Sequence, residues 1–285
     1  MSEYPNLALG ALGCVPSVPD VRDYRMVAGA VREEALPTER KLALVPVKNQ
    51  GSTSSCVAHA ASSILEYNHW AEHDGQYVQF STEWLYGYRP DSEGYYQGEG
   101  MMPRDCLKTM QKMGGVYNAN LPGNHDYPTA SANVTEHLEE LVPLARPHKI
   151  YEYYRCATHA DIKRAIFSGD PVLCSIPVRD RDHLDSNYCW VTDTSKQLSG
   201  AHALYIYGYN ERGFLVQNSW GQLWGNKGRF VIPYETAEFY ELWGVHDATD
   251  DEEDTTYIHR PFTGFLGRFF AKIFNWFLQL FSKKS

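Results

Sequence analysis

Nowhere along the 285 residues do two cysteines form a CxxC pair, and no block of 20–50 residues repeats. The chain therefore offers no paired-thiol motif and no solenoid or propeller pattern. The opening MSEYPNLALGALGCVP has no basic n-region and only a short apolar stretch, so no secretory signal is read. Bases are scarce, with 26 Lys and Arg against 35 Asp and Glu, a net charge of −9 and a pI near 5.6. Without clustered bases, nucleic acid is excluded as the main partner. The six cysteines, at 14, 56, 106, 156, 174 and 189, are spread out. They are expected to be reduced, mostly buried thiols in a reducing, cytoplasmic setting. Asn133-Val134-Thr135 has the form of a glycosylation acceptor, which carries no meaning without secretion.

What the chain does have is a globular composition, 43% hydrophobic and 21% charged, with 20 tyrosines among its aromatics. Tyrosine at that density suits half-buried strands and grooves that hold extended chains. Residues 1–45 read as an irregular N-terminal arm. A helix is expected from Ser54-Ser55 to about Asp74, because Val57, Ala60, Ala61, Ile64 and Leu65 recur at helical spacing. Residues 86–100 read as a loop. Pro103 opens a second helix that Gly114-Gly115 closes, and a third is placed within 133–142. The second half changes character. IYEYYRC (150–156), PVLCSIPV (171–178), HALYIYGY (202–209), GFLVQNSW (213–220) and GRFVIPY (228–234) are strand-like, and THADIKRAIFSGD (158–170) is a Thr-capped, Gly-stopped helix. A helical first half followed by a largely antiparallel β half predicts an α+β fold of two lobes with a groove between them.

Cys56 stands at the first turn of the long predicted helix, where unpaired N–H groups and the macrodipole favour a thiolate. Gln50, six residues upstream in a loop, is placed to donate to a developing oxyanion beside the Cys56 N–H. A thiol nucleophile needs a base, and His202 heads a strand 146 residues later. Asn218 follows on the next strand, where it would orient the imidazole while Trp220 shields that hydrogen bond.

The ordered set PVKNQGSTSSCVAHA (46–60), GAHALYIYGYN (200–210) and NSWGQLWGNKGRFVIPYE (218–235) resembles the papain family of cysteine peptidases. Further likeness lies in PDVRDY (19–24), STEWLYGYR (81–89), EGMMPRDCLKTMQKMGGV (99–116) and DIKRAIFSGDPVLCSIPV (161–178), so it covers roughly residues 14–245. The resemblance implies a two-lobed papain-like fold with a peptidase domain at 46–245. It implies Cys56 as nucleophile, His202 as base, Asn218 as orienting residue and Gln50 in the oxyanion hole, with Gly100, Ala201 and Trp220 on the substrate side. It implies peptide or protein substrates, hydrolysis through a thioester acyl-enzyme, and neither metal nor cofactor. The chain departs where many secreted members carry Cys-Gly, having Thr53-Ser54, and in Val57-Ala58-His59 after the nucleophile. No long inhibitory pro-segment is read before residue 46, so zymogen control of the usual kind is not expected, and the arm at 1–45 is left as the segment that would cover the groove. Two alternatives share these residues: an inactive peptide-binding scaffold and an acyl transferase.

Other motifs receive plainer readings. His59 is taken as a packing residue. His69-Trp70-Ala71-Glu72-His73 has the HxxEH form of some zinc peptidases but no third ligand, and is read as the exposed end of the helix. Residues 246–260 form an acidic linker, with six acids in DATDDEED (247–254). In the tail, 261–285, Arg268, Lys272, Asn275 and Gln279 make one polar stripe on an otherwise apolar amphipathic helix. Residues 265–281 would span about 25 Å, marginal for crossing a bilayer. The tail is therefore expected to lie in a membrane interface, with docking on the protein itself or on a partner subunit as the alternative, and the expected location is cytoplasmic, peripheral on a membrane where the tail binds one.

Overall fold

The computed structural model describes residues 12–20, 23, 35–89, 99–122 and 130–247. The acidic linker beyond 247, the C-terminal helix and most of the arm lie outside the described residues.

The first half is helical. Helix α1 (Cys56–Glu72) is buried along nearly its whole length, from Cys56 to His69. It ends where Asp74 (φ 52°) and Gly75 (φ 87°) turn the chain back and the Gly75 N–H reaches the Trp70 carbonyl. Helix α2 (Thr82–Gly87) falls partly within the segment expected to be a loop. Its start is set by Ser81, whose hydroxyl accepts from the Trp84 N–H at 3.0 Å. Helix α3 (Pro103–Lys112) opens on its proline as predicted. Gly114, at φ 90°, closes it against Ala145, whose carbonyl oxygen would lie 2.0 Å from an added Cβ. The single helix expected within 133–142 is two, α4 (Ala130–Glu136) and α5 (Leu138–Ala145), broken at His137. Helix α6 (His159–Ser168) carries a full capping box between Thr158 and Asp161 and stops at left-handed Gly169.

The second half is a seven-stranded sheet. Its strands are β1 (Arg40–Lys41), β2 (Glu152–Arg155), β3 (Val172–Arg179), β6 (Leu198–Asn210), β7 (Gly213–Gln217), β8 (Arg229–Pro233) and β9 (Glu241–His246). The order is β2-β9-β3-β6-β7-β8, with β1 also on β6, and every pairing is antiparallel. Strands β4 (His183–Leu184) and β5 (Trp190–Val191) form a separate hairpin. Strand β9 escapes sequence reading because Glu241-Leu242-Trp243-Gly244-Val245-His246 shows no alternation. It is buried between β2 and β3, and Gly244 leaves room for the Tyr154 ring, which an added Cβ would meet at 2.3 Å. The predicted strand at 213–220 stops at Gln217. Beyond it the Asn218 N–H bonds the Gly228 carbonyl at 2.9 Å, so Asn218 leaves the ladder with its side chain committed elsewhere.

Helix α1 packs across β6 and against α2 and α3, so its first turn lies on the sheet. Lys48 and Glu66 form a buried ion pair, and Glu66 also accepts from the Phe80 N–H at 3.0 Å. Burial pushes the Glu66 carboxyl up and the Lys48 ammonium down, opposed by their mutual attraction. This pair ties α1 to the segment that leads into Gln50.

Candidate active site

Cys56 is the first residue of α1 and is fully buried. Backbone N–H groups of Ala203, Gly13, Val57 and Cys56 itself lie against its sulfur. They lower its pKa, as a helix start should, but burial outweighs them and the thiol stands above its ordinary value. Complete removal from water therefore opposes the thiolate that the helix N–H groups favour.

His202, on β6, points Nε2 at the Asn218 Oδ1 at 2.7 Å. That oxygen also accepts from the Ser219 N–H at 2.7 Å, so the amide is fixed as an acceptor and Nε2 is the protonated nitrogen. Nδ1 is buried with no protein hydrogen-bond partner. Trp220 stacks on the imidazole at 4.6 Å and 26°, and Trp224 meets Trp220 edge-on at 5.1 Å. Burial depresses the His202 pKa to about 4, against the raising effect of Asn218. Burial thus works against the charged form of each group, the thiolate and the imidazolium.

Gln50 is buried and held at both ends of its amide. Its Nε2 donates to the Thr53 carbonyl at 2.8 Å and its Oε1 accepts from the Ser219 hydroxyl at 2.6 Å. The Gln50 N–H also reaches the Ser219 carbonyl at 2.8 Å. Ser219 thus links Gln50 to Asn218, two residues 168 positions apart in the chain. Sequence reasoning passed over it as part of Asn-Ser-Trp-Gly; its only signal was adjacency to Asn218.

The described part of the arm lies on these groups. Met101 N–H bonds the Gly13 carbonyl at 2.8 Å, Val15 N–H bonds the Met101 carbonyl at 3.0 Å, and Cys14 N–H bonds the Ala201 carbonyl at 3.3 Å. Cys14 and Met101 form a parallel β-bridge. Gly13 is so close to the Ser54 carbonyl that an added Cβ would stand 1.9 Å from its oxygen. Gly100, at φ 85°, leaves room for the Gly13 carbonyl, which a Cβ would strike at 2.3 Å. Two of the three expected substrate-side residues, Gly100 and Ala201, thus contact the arm, while the third, Trp220, covers His202.

His59 is buried one turn along α1. Its Nδ1 faces the Ser55 carbonyl at 3.0 Å, and burial lowers its pKa to about 4. The HxxEH segment is not simply an exposed helix end: His69 is buried, stacked on His73 at 3.9 Å and edge-on to Phe80 and Tyr117. Among the described residues no group of three or more His, Cys, Asp or Glu is arranged to hold a metal ion. Five cysteines are buried and Cys189 is half-buried, all with free thiols.

Comparison with known proteins identifies the family and the fold. A model of the papain family of cysteine proteases matches residues 34–243. An uncharacterized peptidase C1-like protein of Acanthamoeba polyphaga mimivirus is 24% identical over 217 residues, 71% of this chain and 70% of its own length. Cathepsin K of Mus musculus is 24% identical over 220 residues, 75% of this chain but 60% of that protein. The chain likewise spans 55% of a cathepsin L-like peptidase of Aedes aegypti. Among solved structures, xylellain, a cysteine protease from Xylella fastidiosa, superposes with a TM-score of 0.71 at 24% identity, covering 84% of this chain and 97% of that one. Procathepsin B from Trypanosoma congolense gives 0.60 at 14% identity, covering 84% and 86%. The α+β papain-like fold expected from the motifs is the fold observed.

Proposed function

Because the chain belongs to the papain family of cysteine proteases and is a papain-like cysteine peptidase, we propose that it hydrolyses peptide bonds through a thioester on Cys56, from a resting state in which residues 12–17 fill its own groove. One observation carries the reading: His202 is tied through Nε2 to Asn218, and its Nδ1 is left without a protein partner. That nitrogen is the lone pair available to take the Cys56 proton once water and substrate replace the arm.

In the open state the burial that raises the thiol and lowers the imidazole is relieved, and the four N–H groups around the sulfur lose only that of Gly13. The proton passes from sulfur to Nδ1, and the thiolate attacks the scissile carbonyl. Charge on the carbonyl oxygen is met by the Cys56 N–H and the Gln50 amide, which Ser219 and Thr53 hold in place. The imidazolium then protonates the leaving amine. Water, deprotonated by the same nitrogen, frees the acyl group from sulfur. Asn218 orients the ring and Trp220 keeps water from their hydrogen bond.

The test is labelling of the full chain with a thiol-specific peptidyl epoxide, followed by intact-mass measurement under reducing conditions. One adduct, absent from Cys56→Ala, is the expected result. An adduct that persists in that variant overturns the nucleophile, and no adduct at any pH favours a peptide-binding scaffold. For the tail we propose attachment to a membrane interface, on the strength of its polar stripe and apolar remainder. Vesicle flotation that is equal with and without residues 261–285 would remove that reading.

A further inference from the structure

The arm brings a second thiol to the nucleophile. Gly13 packs so closely on the turn before α1 that an added Cβ would stand 2.5 Å from the Ser54 Cα, and its N–H lies against the Cys56 sulfur. The next residue is Cys14, which is buried. Strand β6 holds both cysteines along one edge. The Cys14 N–H bonds the Ala201 carbonyl at 3.3 Å, and the Ala203 N–H lies against the Cys56 sulfur. Residues two apart on a strand turn their backbone groups to the same edge, about 7 Å apart. A disulfide spans Cα separations up to about 6.8 Å, so a small slide of the arm brings the two cysteines into bonding range. The Cys14 thiol is held well above its ordinary value, by burial first, then by the nearby Cys56 sulfur, and only then by Glu241.

The other cysteines are placed elsewhere. Cys14 sits beside Ser175 on β3. Cys174 is the preceding residue of that strand, so its side chain points to the other face of the sheet. Its charge also acts on Cys14 less than those of Cys56 and Glu241 do. Cys106 is buried on α3, Cys156 is buried directly after β2, and Cys189 lies beside Arg212 at the start of β5.

We propose that Cys14 and Cys56 form a reversible disulfide that pins the arm in the groove and blocks the nucleophile when a peroxide is present. The inference rests on the peptidase reading above, which supplies the nucleophilic sulfur, and it adds a covalent modification site to that reading. When the arm lifts, the Cys56 thiolate attacks one peroxide oxygen and the O–O bond breaks. Cys56 becomes a sulfenic acid, and the departing hydroxide takes the proton of the His202 imidazolium to leave as water. The arm then settles with Cys14 beside that sulfur. The Cys14 proton passes to the His202 Nδ1, which has no protein partner, and the Cys14 sulfur attacks that of Cys56. The S–O bond breaks, and the hydroxide recovers the proton as a second water. Two thiols are oxidised, and one peroxide is reduced to two waters. An external thiol reverses the bond and frees the arm. A nucleophile with no thiol beside it goes on instead to the sulfinic acid, which thiols do not reduce.

The test uses the full chain, reduced, freed of reductant, exposed to hydrogen peroxide and digested without reduction. The expected result is a peptide joining Cys14 to Cys56, with epoxide labelling of Cys56 lost and then recovered on adding dithiothreitol. Recovery in Cys14→Ser should be lower by about five-fold or more, because sulfinic acid accumulates there. No linked peptide, a link from Cys14 to another cysteine, or equal recovery in the two proteins each overturns the disulfide. The linked peptide is read in the unaltered chain, so a Cys14→Ser that failed to fold would not protect the proposal. The two readings fail separately. Epoxide labelling of the reduced chain without a linked peptide leaves the peptidase standing, whereas no labelling of the reduced chain overturns the peptidase reading itself.

Discussion

The two walls of the groove are built by different physics. The wall that carries His202 is sheet: β3, β6 and β7 fix it by register, and Asn218 enters directly after the β7 ladder ends. The wall that carries Gln50 and Cys56 has a loop leading into a helix, and its loop residues are held by side-chain bonds, Gln50 by Thr53 and Ser219, Lys48 by Glu66. A ladder distributes strain over many backbone bonds, whereas a loop amide depends on two or three named partners. The sheet wall should therefore tolerate neighbouring substitutions, and the loop wall should answer to single side chains.

The largest effect tests what the walls share. Cys56→Ala and His202→Ala should each lower turnover by about 10⁴-fold or more, and nearly as much singly as together. Steady-state rates on a peptide substrate would check this, and additive losses would break the picture of one unit. The comparison itself is sharpened by Gln50→Ala and Ser219→Ala. The first should cost about 10²–10³-fold in kcat. The second should cost about ten-fold, because Gln50 keeps its bond to Thr53 but loses the one on Oε1. If Ser219→Ala left kcat at its original value, the loop wall would be as self-sufficient as the sheet wall.

Acid should reach both walls. His202 and His59 are depressed to about 4 by burial, from an ordinary 6.5. A histidine whose folded pKa is depressed contributes stability that is present above pH 6.5 and is lost as pH falls through the folded value near 4. The stake is on the order of 3 kcal/mol for each ring. Melting temperature should fall steadily from pH 7 to pH 4, and a flat profile would show that neither ring stays buried. The smallest expected effect concerns the arm. Gly13→Ala places a Cβ against the Ser54 carbonyl and should unseat residues 12–17. Epoxide labelling at neutral pH should then speed up by about ten-fold, the occupancy penalty removed. An unchanged labelling rate would mean that the arm does not limit access.

Legibility in the sequence followed locality. Helix α6 could be read in full, since Thr158, Asp161 and Gly169 are neighbours in the chain and act on each other. The same holds for the proline start of α3 and for the placement of Cys56 at a helix start. Strand β9 could not be read, because it is a central strand whose residues are buried on both faces, which removes alternation. Cys14 read as an ordinary buried thiol, and it is buried, but against the site rather than in a core of its own. The histidines at 69 and 73 were seen as a motif. That His69 packs with Phe80 and Tyr117, with His73 stacked on it, depends on a turn at Asp74-Gly75 that brings the chain back.

The sequence by itself singled out the proposed chemical cast, Gln50, Cys56, His202 and Asn218 in order, on a helical half and a β half. Residue type and short-range spacing are written along the chain, and they are enough for that. Tertiary structure alone decided the state of the site. Burial of the Cys56 sulfur and the His202 ring opposes the charged forms that the helix start and Asn218 favour. Ala203, Ser175 and Glu241 stand directly opposite one another across three strands only because β9 pairs with β3 on one side while β6 pairs on the other. No spacing in the chain encodes that neighbourhood, since strand register is fixed by burial of whole faces rather than by any one residue.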